Sequence, residues 1–239
     1  MSETLYLSRA RLRTARGEAL SAIAPILMPD DEDRRAGHAH RLVWLLFQYQ
    51  QDAARDFLWR DEGQAKFMIL SPRPPTDPHG LFDLEIKPFA PELTAGDELR
   101  FVLRANPVVA RKGALTSDDH AKRLRGKRVD IVMDALHAVP SEERNGKRDA
   151  ITAEAGERWL REQGARAGFT PKTVVVSSYG RVDIADQERK KRRDRAGIAV
   201  MDIEGVLTVA DSSAFVAKLG QGFGGAKAFG NGLMMIKRI

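Results

Sequence analysis

Ile198-Ala-Val-Met-Asp-Ile-Glu-Gly-Val-Leu-Thr-Val209, then Ala210, Asp211-Ser-Ser-Ala-Phe-Val-Ala-Lys-Leu219 and Gly220-Gln-Gly-Phe-Gly-Gly-Ala-Lys-Ala-Phe-Gly-Asn-Gly-Leu-Met-Met-Ile236 follow one another near the C-terminus. In the first piece Ala199, Met201, Ile203, Leu207 and Val209 fall on one face and Asp202, Glu204 and Thr208 on the other, the period-two pattern of a half-buried strand. Asp211 is a good N-cap for the helix that follows. Gly222, Gly224, Gly225, Gly230 and Gly232 then surround Lys227 before an apolar strand over 233–236. Strand, helix and strand with a glycine turn make half of a ferredoxin-like βαββαβ unit.

Upstream of this piece the same plan recurs. Residues 3–13 alternate as a strand, with Leu5 and Leu7 on one face. His40, Val43, Trp44 and Phe47 stand at i, i+3, i+4 and i+7, one apolar stripe of a helix. Strands are predicted over 56–60 and 66–71, joined by a turn at 61–64. A breaker-rich loop over 72–80 follows, and a strand over 98–104 closes the first half, stopped by Asn106-Pro107. Further on, 128–133 and 173–179 read as strands and 150–165 as a helix turning Ala155, Trp159 and Leu160 inward. The expectation is an α+β chain of two tandem ferredoxin-like (RRM-like) domains with antiparallel sheets. Residues 1–107 form the first, 108–128 a basic connection and 129–239 the second.

Composition bounds the function. The chain has 239 residues, 43% apolar content and no cysteine, so disulfides, thiolate nucleophiles and cysteine-type zinc sites are excluded. No apolar run is long enough to span a bilayer and no signal-peptide pattern opens the sequence, which points to a cytoplasmic protein with no membrane partner. The net charge of +6 is unevenly spread. Seven cations lie between Arg111 and Arg128, and six of the seven residues in Arg189-Lys190-Lys191-Arg192-Arg193-Asp194-Arg195 are basic. Such runs are either solvated loops or binding surfaces for a polyanion, and a nucleic-acid backbone is the usual counter-charge. Residues 29–33 are acidic enough for a metal site to be conceivable, although a solvated loop suffices.

The glycine loop has several readings. Consecutive N–H groups in such a loop can converge into an anion-binding concavity. Gly220-x-Gly222-x-x-Gly225 matches the dinucleotide fingerprint only as a string, because the preceding element is helical and no βαβ strand follows. A Walker loop needs Gly-Lys-Ser/Thr, whereas Lys227 lies between alanines. A tight helix-to-strand connection without a ligand remains open on composition alone.

Three segments, in this order, resemble the CasE family, the repeat-processing endoribonucleases of type I-E CRISPR systems. They are Asp52-Ala-Ala-Arg-Asp-Phe-Leu-Trp59 after the Trp44 helix, Phe101-Val-Leu-Arg-Ala-Asn-Pro107, and 204–234 with its Gly-x-Gly, five residues and Gly-x-Gly. The resemblance implies cleavage of the CRISPR repeat stem-loop in precursor RNA, without metal or cofactor. It also implies retention of the product hairpin among the other subunits of the Cascade complex. The family's catalytic histidine, at the start of the first helix, corresponds to His40. Its frequent tyrosine three residues earlier is replaced here by Gly37, so Tyr6 on the first strand, or His38, is a candidate for supporting the proton chemistry.

Metal-free RNA cleavage uses the substrate's own 2′-OH, leaving a 2′,3′-cyclic phosphate and a 5′-OH. It needs a base, an acid, alignment and charge stabilisation. Histidine can perform either proton transfer near neutral pH. His40 is expected as the base. Lys227 is expected at a phosphate, Arg189 to Arg195 along the stem, and Arg104, Lys127 and Arg128 as further RNA contacts. A hairpin-binding protein that does not cut is the alternative.

Overall fold

The computed structural model describes residues 4–13, 32–47, 55–111, 127–184 and 197–239. Its elements are β1 (Leu5–Leu12), α1 (Glu32–Leu45), β2 (Leu58–Asp61), β3 (Lys66–Ser71), β4 (Phe82–Phe89), β5 (Glu98–Ala105), β6 (Val108–Arg111), β7 (Lys127–Asp130), α2 (Ile131–His137), α3 (Arg144–Ala167), β8 (Phe169–Asp183), β9 (Gly197–Val209), α4 (Ser212–Gln221) and β10 (Met234–Arg238).

Two antiparallel four-stranded sheets carry the fold, ordered β2-β3-β1-β4 and β10-β5-β9-β8. The second is a complete ferredoxin-like unit, with strands β5, β8, β9 and β10 and helices α3 and α4 in βαββαβ sequence. Its first strand is β5, whose Glu98–Ala105 register pairs with β9 on one side and β10 on the other. The expectation that 98–104 closes the first half is therefore corrected. Leu99, Phe101, Leu103 and Ala105 show a strand with one buried face, but alternation does not say which sheet receives it. The two ends of the expected connection, β6 and β7, pair as a separate ribbon, and the strand expected over 128–133 is corrected: it ends at Asp130, which caps the helix over 131–137.

The first sheet has the same strand order, but no helix joins β3 to β4. β3 ends opposite Tyr6 and β4 starts opposite Leu12, so 72–81 must run back the length of the sheet. Pro72, Pro74, Pro75 and Pro78 keep that segment from being helical. Asp77 closes it by accepting from the Leu81 and Phe82 amides at 3.0 and 2.7 Å.

Packing follows the alternation. On one face of the first sheet Ala10, Leu12, Trp59, Phe67, Ile69 and Phe82 meet Ala39, Leu42, Val43, Trp44 and Phe47, mostly from α1. On the other face Leu58, Met68 and Leu70 pack with Leu233, and Met235 of β10 lies against them. The two sheets are thus joined through an apolar seam at β10. The main core lies under α3 and α4, where Trp159 and Leu160 are 2% and 0% exposed, as their spacing predicts.

Candidate active site

His40 sits well inside α1, eight residues after its first residue Glu32. The expectation of a helix-start histidine is corrected, because the polar residues before it extend the helix without contributing to the apolar stripe. The imidazole is half-buried, so it is not sealed in the interior. It packs between Trp44 (ring centroids 6.2 Å apart) and Phe229 (5.6 Å, interplanar angle 29°).

Its Nδ1 lies 2.6 Å from the carbonyl oxygen of Ala228. A carbonyl only accepts, so Nδ1 carries the hydrogen and Nε2 is left for proton transfer. The same oxygen accepts from Trp59 Nε1 at 3.0 Å. Arg55 donates to the carbonyl of the preceding residue, Lys227, at 3.2 Å and also to that of Phe57. Helix α1, strand β2 and the C-terminal loop thereby converge on one short turn, Lys227–Phe229.

The glycine loop builds that turn. Gly222, Gly224, Gly230 and Gly232 all have positive φ. At Gly224 a Cβ would stand 2.5 Å from the Asn106 carbonyl oxygen, so only glycine fits both the dihedral and the space. The amides of Phe223, Gly225 and Gly232 donate to the carbonyls of Gly232, Asn106 and Arg104 at 2.9, 2.9 and 2.7 Å. These amides are satisfied within the protein. With those three amides engaged, the loop is a mount for Lys227 and the Ala228 carbonyl. Glycine content reveals the loop's conformational demands but not where its amides point.

Lys227 Nζ donates to the Gln221 carbonyl at 2.6 Å. Burial, then the nearby charges of Lys218, Arg55 and Arg128, hold its ammonium below the ordinary lysine pKa. A phosphate placed beside these cations would offset both effects. Of its members, Lys227 and Arg128 were expected from sequence. Arg55 and Lys218 were missed: Arg55 lies in the 52–59 segment of the family resemblance without being singled out there, and Lys218 belongs to no basic run.

The remaining expected residues are dispersed. His38, two positions from His40, turns to a different side of α1. Tyr6 stands opposite Ser71 and Pro88 on β1, and among the described residues no hydrogen bond or ring contact joins it to His40. Arg104 is ion-paired with Asp202 at 2.9 Å. Lys127 lies opposite Arg111 in the β6–β7 ribbon. Arg189, Lys190, Lys191, Arg192, Arg193 and Arg195 lie outside the described residues. Gly37, one turn before His40, has nothing within 4 Å of the position a Cβ would take. Among the described residues no cluster of three His, Asp or Glu side chains could hold a metal ion, and no helix is long and apolar enough to cross a membrane.

A family model described as CRISPR associated protein matches residues 5–238. The CRISPR system Cascade subunit CasE of Escherichia coli strain K12 is 26% identical over 208 residues, spanning 82% of this chain and 89% of that protein. The CRISPR endoribonuclease Cse3 bound to a 19-nucleotide RNA superposes with a TM-score of 0.64 at 22% identity, over 98% of this chain and 99% of that one. Cas6e of Escherichia coli K-12 gives a TM-score of 0.60 at 21% identity, over 98% and 100%. At these identities the solved structures speak for the fold alone, and both agree with the two-sheet α+β architecture.

Proposed function

This chain belongs to the CRISPR associated protein family, and on that premise we propose that it is an endoribonuclease that processes CRISPR repeat RNA and stays on the product hairpin as a Cascade subunit. The relatives are named for these roles, one as a Cascade subunit and one as an endoribonuclease bound to RNA. The observation that carries the reading is the hydrogen bond from His40 Nδ1 to the Ala228 carbonyl. It fixes the ring's tautomer and couples the imidazole to the lysine-bearing turn. Substrate would meet a proton carrier and a cation cluster at one place.

In the proposed step His40 Nε2 takes the proton of the 2′-OH. The 2′ oxygen attacks phosphorus as the bond to the 5′ oxygen breaks, and that oxygen takes a proton from solvent and leaves as a 5′-OH while the His40 imidazolium returns its own proton to solvent. A 2′,3′-cyclic phosphate remains, and no metal is required. Lys227, supported by Lys218, Arg55 and Arg128, balances the charge that gathers on the phosphoryl oxygens. The Ala228 carbonyl steadies the imidazolium formed midway, as a hydrogen-bond acceptor on Nδ1–H does for histidine bases generally.

The space beside Gly37 favours a second reading, a protein that holds the hairpin without cutting it. The family's frequent tyrosine is missing at this position, and among the described residues nothing lies within 4 Å of where a Cβ would stand. Incubating the purified protein with a repeat hairpin in EDTA separates the two. Cleavage that His40→Ala abolishes, with hairpin affinity retained, supports the nuclease. Tight binding with no product supports the holder.

A further inference from the structure

Four consecutive carbonyls run through the turn that meets His40, and a side chain engages each of them. The inner two are held from outside the loop. Arg55 donates to the Lys227 oxygen at 3.2 Å, while His40 and Trp59 share that of Ala228. The outer two are held by one residue of the loop itself. Asn231 Nδ2 donates to the carbonyls of Ala226 and Phe229, at 3.2 Å each. Both partners can only accept, so the orientation of the amide is fixed and both of its N–H donors are used.

Asn231 is 1% exposed, and among the described residues its Oδ1 is buried with no hydrogen-bond partner. A buried acceptor left unpaired costs stability, which an apolar side chain of similar size would not. Burial alone therefore does not account for an asparagine here, whereas its two donors do. What they hold is strained. Ala226 has φ 47°, a left-handed conformation in a residue with a side chain, and such backbone persists only where its surroundings impose it. The Ala226 oxygen also accepts from the Phe229 amide at 3.0 Å, so the turn and the asparagine close on one atom. Behind Asn231, the Gly232 amide donates to the Arg104 carbonyl at 2.7 Å. A continuous path thus runs from β5 through Asn231 to the turn, and from the turn to Nδ1 of His40.

We propose that Asn231 is a positioning residue for the imidazole. By closing the turn on its outer carbonyls it aims the Ala228 oxygen at His40 Nδ1 and so keeps Nε2 available for proton transfer. The inference rests on the RNA-processing reading and adds to it the residue that sets the state of the base.

The test is Asn231→Leu, which keeps the size and removes both donors together with the unpaired oxygen. In nitrogen-15 NMR the neutral His40 ring should no longer hold its hydrogen on Nδ1 alone, and the signals of the two ring nitrogens should draw together as both tautomers populate. Single-turnover cleavage of a repeat hairpin at saturating protein should slow about 10-fold, the scale of one or two neutral hydrogen bonds. The hairpin dissociation constant should stay within about 2-fold of wild type, because every cation remains. A residue that only stabilised the loop would lower the melting temperature and leave the tautomer as it was. Asn231→Ala, which cannot overpack the site, carries the same readouts should Asn231→Leu not fold. The proposal is overturned if the folded variant keeps the hydrogen on Nδ1, or if it cuts at the wild-type rate. Should the wild type cut no RNA, the nuclease reading fails separately, and the NMR comparison alone decides whether Asn231 sets the ring.

Discussion

Replacing Arg55 tests whether the turn that holds His40 must be fixed from outside. Arg55 bridges the carbonyls of Phe57 and Lys227, and its guanidinium stands 6.0 Å from the Phe57 ring. Both bonds come from Nη1; Arg55→Lys keeps the charge on a shorter side chain that stops short of that position, and Arg55→Met keeps only the stem. A hydrogen bond from a charged donor contributes about 1.5–3 kcal/mol. Both bonds are part-buried, and removing a cation beside Lys227 relieves repulsion, so the net loss is about 1–2 kcal/mol. Expressed entirely in the barrier, that is about a 5- to 30-fold slower single-turnover cleavage. The assay is cleavage of a repeat hairpin at saturating protein, with affinity measured separately across a salt series. Both variants should cut slowly. Only Arg55→Met should also flatten the salt dependence, by about one unit of slope. Full activity in Arg55→Lys would refute the reasoning, since charge alone would then suffice.

Lys227→Gln should weaken hairpin binding about 10-fold and reduce the salt slope by about one, leaving the preferred RNA unchanged; filter binding at several salt concentrations checks this. Nitrogen-15 NMR of the neutral His40 imidazole should show the hydrogen on Nδ1, and a hydrogen on Nε2 would contradict the Ala228 contact. Gly224→Ala should lower thermal stability by at least about 1 kcal/mol, because an L side chain is strained at φ 72° and meets the Asn106 carbonyl. Tyr179 donates to Asp130 at 2.8 Å, and burial, then that bond, raises the pKa of its phenol. A raised phenol pKa means the folded state keeps its proton longer, so this contribution is complete below about pH 10 and declines as pH climbs above it. Tyr179→Phe should cost about 1 kcal/mol near pH 8, a melting shift of about 2–4 °C, and remove that alkaline decline.

The C-terminal strand, helix and strand were legible because their apolar positions keep one period and Asp211 and the glycines mark the ends. Asp211 indeed caps α4 through the Ala214 amide at 3.0 Å. β4 escaped notice because, among the described residues, it is an edge strand that pairs with β1 alone. Its largely exposed residues and Pro88 blur the alternation, as an edge position permits. The sheet membership of β5 was hidden for a different reason: pairing is a long-range choice that one strand's pattern does not encode. The Gly232 amide and the Arg104 carbonyl, which help lock it beside the loop, lie far apart in sequence. At the candidate site, His40 and Lys227 stood out through a family resemblance and a conspicuous loop. What joins them is the Ala228 main-chain oxygen, shared with Trp59 and backed by Arg55. A carbonyl that any residue could supply leaves no trace in composition or spacing. The cation cluster was only half visible for a similar reason, since Lys218 and Arg55 are isolated in sequence and meet Lys227 only in the fold.

The chemistry of the RNA ends produced in EDTA bears most directly on the proposed reaction. Attack by the 2′-OH with His40 as its base predicts an upstream fragment ending in a 2′,3′-cyclic phosphate and a downstream fragment starting with a 5′-OH, with neither formed by His40→Ala. An upstream 3′-OH paired with a downstream 5′-phosphate would mean that water, not the substrate's own hydroxyl, made the cut, and would contradict the account.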